Sequence, residues 1–103
     1  MIKHIVLCAF KKDLSEEAIA EILNSMHSLQ KSIPQILSFS AGVNTSKEGL
    51  SKGFTHGFIM TFADEEAREI YIENEEHKRV AEQIVIPALQ DGLNSVQVFD
   101  FND

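Results

Sequence analysis

Gly53-Phe54-Thr55-His56-Gly57-Phe58-Ile59-Met60-Thr61-Phe62 is the stretch whose reading decides the fold. Alternation with a period of two places Phe54, His56, Phe58, Met60 and Phe62 on one face and Thr55, Gly57, Ile59 and Thr61 on the other. Both faces are therefore apolar or small, which predicts one strand at the centre of a sheet. A histidine inside a phenylalanine-rich row needs a hydrogen-bond partner, because burying an unpaired polar group costs about 1 to 3 kcal/mol. His56 is thus the first candidate functional residue.

Working outward, Ile2 to Phe10 alternates His4, Val6, Cys8 and Phe10 against Ile5, Leu7 and Ala9. It has the same two-sided apolar character and predicts a neighbouring strand. Ser15, followed by Glu16 and Glu17, reads as a helix N-cap with acidic residues in the first turn. Ile19, Ile22, Leu23, Met26, Leu29 and Ile33 then recur at helical spacing until Pro34. His27, at the edge of that stripe, reads as a surface histidine. Ile36 to Val43 predicts a second strand, with Leu37, Phe39, Ala41 and Val43 facing one way. Asn44 to Lys52 has loop composition and either covers a pocket mouth or runs solvated between strands.

Beyond the central strand, Asp64 caps a short helix with inward Ala67, Ile70 and Tyr71. Asn74 restarts it, and His77, Val80, Ala81 and Ile84 have the i, i+3, i+4, i+7 spacing of a buried face. Pro87 disturbs that helix and Gly92 suits a turn. Leu93 to Phe101 reads as the last strand, with Val96 and Val98 opposite Phe99 and Phe101.

The chain has 103 residues, the size of one domain over residues 1–103. Sixteen acidic against nine basic residues give a net charge of −7, which repels phosphate backbones and argues against a nucleic-acid partner. The one cysteine, Cys8, lies in an apolar run and reads as a small buried hydrophobe, pointing to a cytoplasmic protein. No segment reaches the roughly 18 apolar residues of a membrane span, so no membrane partner is expected.

Strand, helix, two strands, helices and strand predict an α+β, ferredoxin-like β-α-β-β-α-β fold with a four-stranded antiparallel sheet. His4 and His56 then sit on adjacent central strands. Helices can cover one sheet face only, yet the strands carry apolar residues on both. The open face predicts a homodimer packed sheet to sheet.

Several residues together carry a family resemblance: His4 to Leu7, Ile33 with Pro34, Gly49 to Ser51 before Gly53 to His56, Tyr71 with His77, and Val98 to Phe101. The chain resembles the stress-responsive dimeric α+β barrel (Dabb) family over Ile2 to Phe101. That resemblance implies a ferredoxin-like protomer that dimerises through its sheet, in a family whose bacterial members mostly have no assigned activity and some of whose plant members are stress-induced. The chain further resembles a plant branch of that family, cofactor-free polyketide cyclases that use a tyrosine and a histidine six residues apart together with the strand histidines. Tyr71, His77, His4 and His56 match those positions. Asn74 and Glu75 depart from the family's common His-Pro at the helix junction.

The chemistry of these residue types agrees with that parallel. A neutral histidine can remove a carbon acid's proton near pH 7, and a tyrosine hydroxyl can donate to the developing oxyanion. His77 would be the base and Tyr71 the donor, with His56 and His4 beside them, in an aldol-type or Claisen-type ring closure of a small hydrophobic carbonyl compound. No cofactor is called for. No pair of histidines has helical metal-ligand spacing, though His4, His56 and His77 could meet in space. Three classes stay open: a lyase or cyclase, a non-catalytic ligand-binding dimer, and a structural stress protein whose histidines are satisfied core residues.

Overall fold

The computed structural model describes all residues, 1–103. Four strands, β1 (Ile2–Cys8), β2 (Ser38–Val43), β3 (His56–Phe62) and β4 (Val96–Asn102), form one sheet in the order β2-β3-β1-β4. Every neighbouring pair is antiparallel. The helical layer is α1 (Glu16–His27), α2 (Glu65–Glu73) and α3 (Glu75–Val80). This is the expected ferredoxin-like order, with β1 and β3 at the centre.

Strand and helix limits differ from the sequence reading where local backbone chemistry intervenes. The central strand begins at His56 and not at Gly53, because Lys52 and Gly53 turn with φ of 55° and 86°. Left-handed backbone ends a ladder, and glycine adopts it without a Cβ clash. β1 stops at Cys8, and Phe10 instead makes an isolated bridge to Leu89. β2 starts at Ser38, after Gln30 ties the Ile36 and Leu37 carbonyls. β4 starts at Val96, since Gly92–Ser95 forms a 3-10 turn that leaves Leu93 exposed. α1 tightens after His27 into a 3-10 segment, Ser28–Lys31.

The three caps form as their residue types dictate. Ser15 accepts from the Ala18 amide, Asp64 from Ala67, and Asn74 from both Glu76 and His77. Ile19, Leu23, Met26, Leu29 and Ile33 are buried as the stripe predicts, whereas Ile70 is exposed, because α2 turns Tyr71 and part of Arg68 inward. The last helical stripe is also displaced. Pro87 has no amide hydrogen and would crowd the carbonyl four residues before it in a regular helix. The chain widens there into a π-turn, Ala81–Val85, which buries Val85 and leaves Ile84 half-buried.

Register places the strand residues without ambiguity. His4 lies opposite Met60, and His56 opposite Cys8. Ile2, His4, Val6 and Cys8 on β1, with His56, Phe58, Met60 and Phe62 on β3, are all buried beneath the helices. Ile5, Leu7, Ile59, Phe99 and Phe101 occupy the opposite face, where Phe99 is 61% exposed. Val98 pairs with Val6 and so faces the helical side, yet it is 54% exposed because the helices stop short of β4. No helix is long and apolar enough to cross a membrane.

Candidate functional site

The gap over β4 opens into a cavity of about 300 Å³ between sheet and helices. β1 supplies His4, Val6 and Cys8, α2 supplies Tyr71, α3 supplies His77, and the π-turn supplies Ala81 and Val85. Of its fifteen lining residues only His4 and His77 are not hydrophobic. Ile72, Leu93 and Val98 stand at the exposed rim. Two broader depressions lie elsewhere, one on the open sheet face beside residues 44–54 and one between α1 and β2. The 44–52 loop therefore borders the open face and does not cover this cavity. Enclosure, which desolvates a ligand and strengthens polar contacts, favours the smaller site.

The cavity wall is an aromatic stack with sparse polar contacts. The His77 ring lies on Tyr71 with centroids 4.0 Å apart and planes at 27°. Tyr71 in turn meets His4 edge-on at 5.7 Å and packs on Phe62. Asn74, at the one-residue break between α2 and α3, holds the His77 amide and so fixes where the ring starts. His77 Nδ1 is sealed from solvent and has no hydrogen-bond partner. The carbonyls of Ile72 and Tyr71 lie beside the ring, outside full hydrogen-bond geometry to Nδ1. Burial holds His77 below the ordinary histidine range, an effect those carbonyls oppose and His4 and Lys78 reinforce. The ring is neutral at pH 7 and able to accept a proton.

Burial also pushes the Tyr71 hydroxyl well above the usual tyrosine range, with Asp100 adding to the shift, so it stays a donor. That hydroxyl makes no hydrogen bond within the protein and is not sealed off as His77 Nδ1 is. His4 donates from Nδ1 to Asp100 Oδ1 at 2.8 Å, which leaves Nε2 as a lone-pair acceptor. Cys8 is 1% exposed, and burial pushes its thiol up to about 11, so at pH 7 it is an inert wall residue.

His56 is not part of this cavity. It shares the helical face with His4, but the register separates them by four residues, about 13 Å along the strands. There His56 Nε2 donates to Glu16 Oε2 at 3.1 Å, Nδ1 meets the Thr55 hydroxyl at 2.8 Å, and the ring packs edge-on against Phe10. The four residues singled out from sequence thus divide into a group of three, His4, Tyr71 and His77, and a separate His56. The three histidines do not meet in space, and no three His, Cys, Asp or Glu side chains gather as a metal site. His27 is exposed and stacks on Phe39. Sequence reasoning assigned no role to Asp100 or Arg68, although alternation from Val96 and Val98 puts Asp100 on the inward face.

Sheet order, helical layer and interlayer cavity define an α+β protein of the ferredoxin-like type. Its fold matches the crystal structure of At3g17210 from Arabidopsis thaliana with a TM-score of 0.89 at 31% identity, covering 100% of this chain and 95% of that one. A dimeric ferredoxin-like protein of unknown function from Jannaschia sp. CCS1 matches with a TM-score of 0.85 at 22% identity, covering 99% and 98%. In sequence the chain is 35% identical over 80 residues to the stress-response A/B barrel domain-containing protein HS1 of Arabidopsis thaliana, spanning 78% of this chain and 73% of HS1. The stress responsive A/B barrel domain (Dabb) family description matches residues 2–103. The chain belongs to that family.

Proposed function

We propose that this protein is a homodimer that binds a small, largely apolar carbonyl compound between its sheet and helices. The cavity walled by His4, Tyr71 and His77 carries this reading, because a neutral histidine with an unpaired buried nitrogen is poor filler for an otherwise apolar wall. Thermal unfolding with 2,4-pentanedione and longer alkyl β-diketones tests it, since a ligand that binds only the folded state raises the melting temperature. A rise that grows with alkyl length is expected. No rise with any of them would leave a structural stress protein as the better account.

The dimer is supported by the apolar open face, where Ile5, Leu7, Phe99 and Phe101 cluster, and by the dimeric description of the Jannaschia relative. Phe99→Asp should halve the mass measured by light scattering, because an unpaired charge in an apolar interface is strongly unfavourable. Unchanged mass would move the interface off this face. Val98 faces the cavity side, so it is not a suitable residue for that test.

One observation favours a catalytic form of the same reading, a cofactor-free cyclase or lyase. The stack at 4.0 Å brings a neutral base, His77, and a protonated hydroxyl, Tyr71, to one wall. Proton removal next to a carbonyl puts negative charge on its oxygen, which the Tyr71 hydroxyl stabilises.

A further inference from the structure

Arg68 begins on an exposed helix but does not behave as a surface residue. Its side chain is 18% exposed, against 78% for Glu65 and 57% for Glu69 on the same helix. It reaches from α2 to β4, where Nη1 donates to Asp100 Oδ2 at 3.2 Å. The other Asp100 oxygen accepts from His4 Nδ1. One carboxylate from β4 is therefore held at both oxygens, by α2 on one side and β1 on the other. The geometry points to Arg68 as a positioning residue that acts through Asp100 to fix the tautomer of His4. This rests on the cavity being a ligand site.

Two physical reasons make both members necessary. A carboxylate free to rotate offers His4 either oxygen or neither, and an imidazole without a fixed acceptor can carry its proton on either nitrogen. Held at Oδ2 by a guanidinium, Asp100 keeps Oδ1 on Nδ1, so Nε2 presents a lone pair. The second reason is charge. Asp100 alone would set a negative charge near Tyr71, where it opposes an oxyanion accepting from that hydroxyl. Arg68 offsets that charge without taking the hydrogen bond from His4. The titratable and charged groups around His4 are Asp100 from β4, Tyr71 from α2 and His77 from α3, with Arg68 behind Asp100 and Glu65 and Glu69 beyond Arg68, while Phe62 meets the ring edge-on.

A ligand in this cavity consequently meets an acceptor at His4 and a donor at Tyr71. The complementary pattern is a hydroxyl donor, such as an enol or phenol, close to a carbonyl oxygen.

Long-range proton–nitrogen NMR of the imidazoles tests the positioning role without any ligand. In the wild type at a pH where His4 is neutral, Nδ1 should be protonated and Nε2 bare. Arg68→Met should replace that single pattern with a mixture of tautomers while the melting temperature stays close to wild type, and Arg68→Lys should restore the single pattern at least in part. A folded Arg68→Met protein with the His4 pattern unchanged overturns the proposal. So does a wild-type His4 that carries its proton on Nε2, a result that needs no variant and holds even if Arg68→Met fails to fold. Because these spectra involve no ligand, a cavity that binds no β-diketone would count against the ligand reading and leave this measurement standing on its own.

Discussion

His4 and His56 lie on neighbouring strands, on the same face, both nearly buried, and yet they are opposite in chemical state. His56 has a partner at each nitrogen: Nε2 donates to Glu16, and Nδ1 accepts from Thr55. His4 has a partner at one nitrogen only and lines a cavity with the other available. The difference comes from what covers each end of the sheet. Over His56 the start of α1 brings Glu16 down and Phe10 closes against the ring. Over His4 the cover is α2 and α3, which end before β4 and leave room beside the ring. A saturated histidine clamps two elements together, and a half-saturated one at a cavity has a nitrogen left for a ligand.

The largest effect that separates the two ends concerns turnover. If the cavity end is catalytic, His77→Ala should lower turnover of a true carbonyl substrate by the roughly 10² to 10⁴-fold typical of a positioned base, with little change in melting temperature. A variant that unfolds easily but keeps its turnover would put His77 on the structural side of the comparison. At the clamp end the effect should be on stability. His56→Ala removes a buried ring and two hydrogen bonds, about 2 kcal/mol, or roughly 10 °C in a domain of this size. His4→Ala should cost less, since Asp100 keeps Arg68 as a partner and the ring already borders a cavity. Equal losses measured by calorimetry would erase the distinction.

The smallest effect is a pH dependence carried by His77. Folding holds its value below the ordinary 6.5. Between the two values the unfolded chain binds more protons than the folded one, so stability from neutral His77 is present above about pH 6.5 and is lost as pH falls below it. The wild-type melting temperature should therefore drop more steeply from pH 7 to 5 than that of His77→Gln. Parallel curves would mean that the ring titrates as freely folded as unfolded.

How much of this was legible beforehand follows from which interactions are local. Ser15, Asp64 and Asn74 cap helices through amides two or three residues away, so residue type and spacing determine them. Alternation in Ile2 to Cys8 and His56 to Phe62 depends only on the period of a strand, so it sorted the residues of each strand into two sides; that both histidines share the helical face followed only from the pairing register. The strand ends were less legible, because Lys52, Gly53 and the Gly92 turn leave the ladder for backbone reasons that apolar patterning does not encode. The π-turn at Ala81–Val85 was likewise hidden, since a proline states that a helix is disturbed but not how its stripe will shift.

The sequence by itself determined the order of elements, through periodicity and capping, and the family, through its short motifs; the family resemblance also singled out four candidate residues, of which His4, Tyr71 and His77 line the cavity. Only the tertiary structure decided that His56 stands apart from His4, and that Asp100 and Arg68 belong with it. Those facts depend on strand registers between residues up to 96 positions apart and on one helix side chain reaching a distant strand. No local pattern specifies contacts at that range: His4 meets Asp100 only because β1 and β4 pair with these two residues directly opposite.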